Sequence, residues 1–179
     1  MVILRPTRRL RELTPKSLDS GLSSDTALGD WYANRIVVDR QPLLLLISSL
    51  SLLPVLIGAR EVRTLPSHLP DIVGGRLLRM GIEAMWVSCE VEAMTPLLVA
   101  KTADRSVLGS VVDFAKSIPF YLPQGGWGDY ALFGVEDRLS ETPCRVARRS
   151  DEVIFPRDKT PELLKAKWSQ ARPGSTSLN

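Results

Sequence analysis

Lys101, Thr102, Arg105, Ser106, Ser110 and Asp113 fall within one short stretch, KTADRSVLGSVVD, and their types and spacing suit the handling of an anion. A strand-like segment, TPLLVAKT at 95–102, leads into it. RSVLGSVVDFAKSIPFYL follows, with Val107, Leu108, Val111, Phe114, Ala115 and Ile118 on one face at helical spacing. A turn of this kind aims the first N–H groups of the helix outward beside Lys101, Arg105 and the Ser106 hydroxyl, which is the physical recipe for binding negative charge. Ser106, Gly109, Ser110 and Asp113 recur at i, i+3, i+4 and i+7, so they form a polar stripe opposite the apolar face, with Gly109 leaving room for a ligand or another backbone. In an enzyme, Lys101 and Arg105 would neutralise the anion, Ser106 and Ser110 would orient it, and Asp113 would act as base or orienter. The structural alternative makes Ser106 a helix cap, Gly109 a packing contact and Asp113 a surface charge. The stretch lacks the GxxxxGK[ST] spacing of a phosphate-cradling loop.

The rest of the chain excludes more chemistry than it offers. His68 is the only histidine and reads as a loop residue beside two prolines, which removes most Ser-His and Cys-His triads from consideration. Cys89 and Cys144 stand 55 positions apart without a CxxC pair, so a structural zinc site is not expected, and no metal or cofactor is implied. With two thiols and no apolar leader at the N-terminus, the chain suits a reducing cytoplasm in which both thiols stay free. Glu90 and Glu92 do not share a helix face and Glu136 and Asp137 are adjacent, so neither pair suits general acid–base work. Residues 1–16 carry five basic groups and one acidic, and 138–172 carry nine and five, so each end is +4; with a total of +3, the middle is −5. Basic ends of this kind dock on phosphate backbones or acidic partners. No aromatics interleave with them, which argues against base stacking on a single strand.

The elements that must position these groups read as an α+β domain. VILR at 2–5 is a short strand and TRRLREL one or two helical turns. WYANRIVVDR, LLLLIS and LLPVLIG make an antiparallel meander, with a turn at Asp39 to Pro42 and Pro54 confined to an edge or a strand start. The nineteen uncharged residues between Arg40 and Arg60 approach the length of a membrane span. Pro42, Pro54 and a central serine cluster favour instead two buried strands joined by a turn. Two helices broken near Gly81 are expected over 66–94, a short helix at YALFGVEDRLS, a short strand at 153–155, and a last helix opening at Thr160 with Pro161 in its first turn. The expected architecture is a single domain: an antiparallel sheet of three to five strands covered by helices on one side over 1–145, a basic extension over 146–172 with a helix packed on the domain, and a disordered tail at 173–179.

VILRPTRRL, GDWYANRIVV and VAKTADRSVLGSVVDFA together resemble an uncharacterised bacterial family that shares a short N-terminal strand, a WxAN strand and a signature close to KTxxRSVLGSxND. This chain has Val112 where the signature carries Asn. Members resemble accessory proteins of plasmids and mobile gene cassettes, and the resemblance implies one α+β domain outside the membrane without supplying an activity. The reading favoured from the residues is a non-enzymatic binding or regulatory protein that recognises a protein partner or a second copy of itself. The apolar 43–57 stretch would offer it a sheet face or edge, and Trp31, Asn34 and Trp127 are candidate contacts. Nucleic-acid binding through the basic ends and an enzyme built on Lys101 to Asp113 are the alternatives.

Overall fold

LLLLI at Leu43–Ile47 dictates the layering, because an unbroken apolar run in a strand points large side chains to both faces of the sheet. The computed structural model describes residues 1–11, 21–123, 127–145 and 152–169, without the side chains of Arg9, Arg11 and Glu61. In it five strands form one sheet: β1 (Val2–Pro6), β2 (Trp31–Val38), β3 (Gln41–Ser48), β4 (Pro54–Gly58) and β5 (Leu97–Val99), in the order β4-β3-β2-β1-β5. Leu44 and Leu46 join Val2, Leu4, Trp31 and Val55 under α2 (Leu65–Arg79), α3 (Ala84–Ala93) and α6 (Pro156–Trp168). Leu43, Leu45 and Ile47 join Tyr32 and Leu56 under α4 (Arg105–Tyr121) and α5 (Asp129–Ser140). The one-sided cover expected from the sequence is therefore corrected to helices on both faces.

The sheet is mixed, which corrects the purely antiparallel expectation. β2, β3 and β4 form the expected meander, but β1 lies parallel to both β2 and β5. The connection between β1 and β2 carries α1 (Arg8–Arg11), and that between β4 and β5 carries α2 and α3, so both are crossovers that return the chain in the same direction. β1 is buried along its whole length, as a central parallel strand must be. A consequence of this topology is that β1, β2, β4 and β5 all end at the same side of the sheet.

The serines in the uncharged stretch belong to the β3–β4 turn. Ser48 Oγ meets Ser51 Oγ at 2.8 Å and accepts from the Leu53 amide at 3.0 Å, and Thr160 Oγ1 of α6 donates to Ser51 Oγ at 3.0 Å. Pro54 opens the edge strand β4, where its missing N–H costs nothing. No described helix is long and apolar enough to cross a membrane. α2 and α3 are separated around Gly81 as expected and approach closely at Gly74, where a Cβ would sit 3.0 Å from Val91 Cγ2. The last helix begins at Pro156 rather than Thr160; Thr160 and Pro161 fall inside it, with Pro156 in the first turn. The basic link at 146–151 and the tail at 173–179 lie outside the described residues.

Three buried polar clusters fix the loops to this frame. Arg5 donates through Nε to Asp30, through Nη1 to the Lys101 carbonyl at 2.5 Å, and through Nη2 to the Leu22 carbonyl at 3.1 Å. Arg76 Nη1 pairs with Asp137 at 2.6 Å and Nη2 donates to Ser140 Oγ at 2.9 Å; Glu136 accepts from the Leu56 amide at 2.8 Å and from Arg79 at 3.0 Å. Glu90 accepts from the Ala27 amide at 2.8 Å, the Leu28 amide at 3.0 Å and Trp168 Nε1 at 2.9 Å.

Burial raises the Glu90 carboxyl above the ordinary value of 4.5, with the three donors pulling it back. A carboxyl raised in the folded state contributes most to stability below pH 4.5, and that contribution is lost as pH rises through the folded-state value. The expected result is a Glu90 carboxyl ¹³C signal that titrates above the ordinary glutamate range, checked by NMR with Glu90→Gln as the assignment control. Titration at or below that range would contradict the account.

Candidate functional site

The strand-turn-helix at 101–113 forms where expected, but its amides are already occupied. β5 hands over to the turn through the Ala100 amide, which donates to the Leu4 carbonyl at 2.9 Å, and the Asp104 amide donates to Tyr32 Oη at 2.9 Å. The cap of α4 is Asp104, whose Oδ1 accepts from Ser106 N at 2.7 Å and Val107 N at 3.4 Å. Ser106 is thus not the cap, and the anion that the helix end holds is the chain's own carboxylate.

Arg105, Ser106, Ser110 and Asp113 are brought together along a groove of about 820 Å³ on the outer face of α4, walled on the far side by Thr142 to Arg145. Lys101 and Thr102 lie outside its lining. Asp113 stands 4.0 Å from Lys116, one turn away, rather than in an ion pair with Arg105 or Lys101. Cys144 at the groove wall donates to the Thr142 carbonyl at 3.3 Å, and burial, with some help from Asp113, pushes its thiol up to about 11. At neutral pH its thiolate fraction is then about a hundredfold below that of a thiol at 9. Alkylation of Cys144 should be slower than that of a free thiol by about that factor, followed by mass spectrometry of the Cys144 peptide; rapid labelling would show the groove to be more open or more cationic than described. Cys89 and Cys144 are both free thiols.

The expected partner contacts are dispersed. Trp31 is fully buried beneath α2 and α3 and presents no surface, so its expected role is corrected by the register that turns it inward. Asn34 accepts from Thr7 Oγ1 at 3.1 Å and is half-buried. Trp127 is half-buried against the core under α4 and α5, so its ring folds back on the domain. The apolar 43–57 stretch offers no face to a partner: Leu43 to Ile47 are buried on both sides, and the outer edge of β4 is closed by Pro54, which has no N–H, and by Glu136, which takes the Leu56 N–H. His68 is exposed on the first turn of α2, with Nδ1 3.0 Å from the Thr64 carbonyl.

A feature that no single motif announces is the charge at the end of the sheet where β1, β2, β4 and β5 terminate. Arg8 follows β1, Arg35 lies on β2 beyond the last pairing with β1, and Arg40 sits in the two-residue β2–β3 turn. Arg60 and Arg63 follow β4, and Arg105 opens α4 after β5 beside Lys101. All seven side chains are exposed. Among the described residues, none of the six arginines lies within ion-pairing distance of a carboxylate, whereas Arg5, Arg76, Arg79 and Arg157 each hold one. Of the described acids nearby, Asp104 is engaged with the α4 amides, and Asp39 is exposed beside Arg40 in the β2–β3 turn. Arg40 is held at φ 64°, in the left-handed region that glycine enters freely and a long side chain resists.

No curated protein and no solved structure matches this chain. Residues 3–159, which take in the sheet, the arginine-bearing end and the α4 groove, match a family described as a domain of unknown function, and the chain belongs to that family, DUF6933.

Proposed function

We propose that this protein is a non-enzymatic binding protein that holds the phosphate backbone of a nucleic acid on the arginine-bearing end of its sheet. The observation that carries the reading is the gathering of Lys101 and six exposed arginines, none of them ion-paired among the described residues, at one end of the fold, drawn from four different connections and strand β2. Guanidinium groups suit phosphate because their planar donors match two oxygens at once, and an unpaired arginine has no internal partner to give up. The left-handed backbone at Arg40 supports the same reading, since a residue that resists that conformation occupies the tip of the hairpin.

Two experiments test this. On immobilised mixed-sequence nucleic acid, the protein should be retained at 50 mM salt and released by 200 mM, because every phosphate contact displaces condensed counterions. Failure to bind at low salt, or release insensitive to salt, would overturn the reading. Arg40→Gly should raise unfolding stability by about 1 kcal/mol, by relieving the left-handed backbone, while weakening retention. A variant that gains stability and keeps full retention would remove Arg40 from the contact surface.

The α4 groove supports a second reading, a small anionic ligand held by Arg105 and the Ser106 and Ser110 hydroxyls. A nucleotide or phosphate that occupies it should stabilise the fold by about 2.7 kcal/mol at a hundredfold excess over its dissociation constant. No shift across such a library leaves the groove a structural feature of α4.

A further inference from the structure

We infer that the partner is a double-stranded helix gripped through both of its strands, an inference that rests on the phosphate-binding reading above. The argument is the two-dimensional spread of the cations. Strand order puts Arg60 and Arg63 beside β4 and Lys101 and Arg105 beside β5, with four strand spacings between them, a lateral reach of about 19 Å. Along the other direction, the β2–β3 hairpin runs three residues past Arg35 to its last pair, Val38 with Gln41, a step of about 10 Å, and Arg40 stands in the turn beyond it. Arg8, which follows the end of β1, fills the middle of this field. A single strand offers one line of phosphates, which such a field would mostly miss. A duplex groove about 12 Å wide presents a phosphate strand on each side, and a field of about 19 Å reaches both.

The second argument is what the surface lacks. Proteins that hold single strands stack bases on exposed aromatic rings. Among the described residues the exposed aromatics are Phe120, Tyr130 and Phe155, and none belongs to this end of the sheet. Phe120 is fifteen residues along α4 from Arg105, about 22 Å away on the helix. Tyr32, the ring nearest the turn, is buried with its hydroxyl accepting from the Asp104 amide. The surface is therefore built to touch phosphates and not bases, so it grips backbone geometry with little sequence preference.

The test is competition binding at 0.1 M salt, read by fluorescence anisotropy of a labelled 20-base-pair duplex, with three competitors: the unlabelled duplex, a 20-residue thymidine strand, and poly-glutamate of equal charge. The expected result is that the duplex competes at least tenfold better than either of the others. If the thymidine strand competes equally or better, the duplex inference falls while phosphate binding stands. If poly-glutamate competes as well as the duplex, the surface serves an acidic protein and both readings fall. Absence of binding to the labelled duplex, together with no retention on the mixed nucleic acid, overturns both as well. Arg35→Glu/Arg60→Glu serves as the control for the surface. Both side chains are exposed, so the variant should keep the native melting temperature and lose the duplex signal; equal affinity in that variant would place the binding elsewhere and overturn the inference.

Discussion

Replacing Arg76 with alanine should cost about 3–5 kcal/mol of folding stability, the penalty for leaving a buried charge without its partner. For a chain of this length that corresponds to a melting temperature lower by roughly 10 °C. The Arg76 side chain is 2% exposed and bridges α2 to two positions of α5, Asp137 and Ser140, with Nε facing Glu136 at 3.6 Å. Glu136 is itself fully buried, and without Arg76 its charge would face only Arg79, which is one-third exposed and stacks on Phe133. The same carboxylate closes the outer edge of β4 through the Leu56 amide, so the loss should spread from α5 into the sheet. Urea unfolding of the wild type, Arg76→Ala, Glu136→Gln and the double variant would measure the coupling. Strong non-additivity is expected, because the two groups belong to one network. A cost below about 1 kcal/mol for Arg76→Ala would show that water or rearrangement replaces the lost pair.

The second large effect concerns binding and should leave stability untouched. Reversing two charges at the sheet end, Arg35→Glu with Arg60→Glu, should weaken nucleic-acid affinity by about a hundredfold or more at 0.1 M salt, through loss of two phosphate contacts and added repulsion of the rest. Among the described residues neither arginine makes an ion pair, and both are exposed, so the melting temperature should move by little more than a degree. Reversal of Lys116 and Lys165, exposed on α4 and α6 away from that end, should change affinity far less. Equal losses from the two pairs of substitutions would reduce the effect to net charge and leave the arrangement of the arginines without a role.

Much of the fold was legible in the residues. The alternation in WYANRIVV, the glycine break at Gly81 and the apolar face of α4 each correspond to an element at the expected place, because local periodicity reflects which face must be buried. The parallel insertion of β1 was not legible. VILR is too short to show direction, and pairing between residues 2–6 and 97–99 is a long-range event that no local pattern specifies. Helices on both faces were in fact announced by Leu43 to Ile47, since five consecutive apolar side chains on a strand demand two apolar covers.

The candidate sites divided in the same way. The turn at 101–106 forms, but its cap is Asp104 rather than Ser106: Asp104 stands directly before the helix, with an Asx side chain suited to that place. Glu136 carried a warning too: it lies one turn after Leu132 and one before Ser140, on the buried side of α5, where a carboxylate needs charged partners. The arginine end has no signature along the chain. Five of its six arginines come from residues 17–137, whose net charge is −5, and only the topology brings them together with Arg8.

The most direct test of the central claim follows the arginines themselves. In a two-dimensional ¹H–¹⁵N spectrum of the guanidinium Nε–Hε groups, titration with a short duplex should shift the signals of Arg8, Arg35, Arg40, Arg60, Arg63 and Arg105. Those of Arg5 and Arg76, buried in their carboxylate pairs, should stay in place. Shifts confined to the α4 groove or to α6, or an unchanged spectrum at saturating duplex, would contradict the assignment of the sheet end as the phosphate-binding surface.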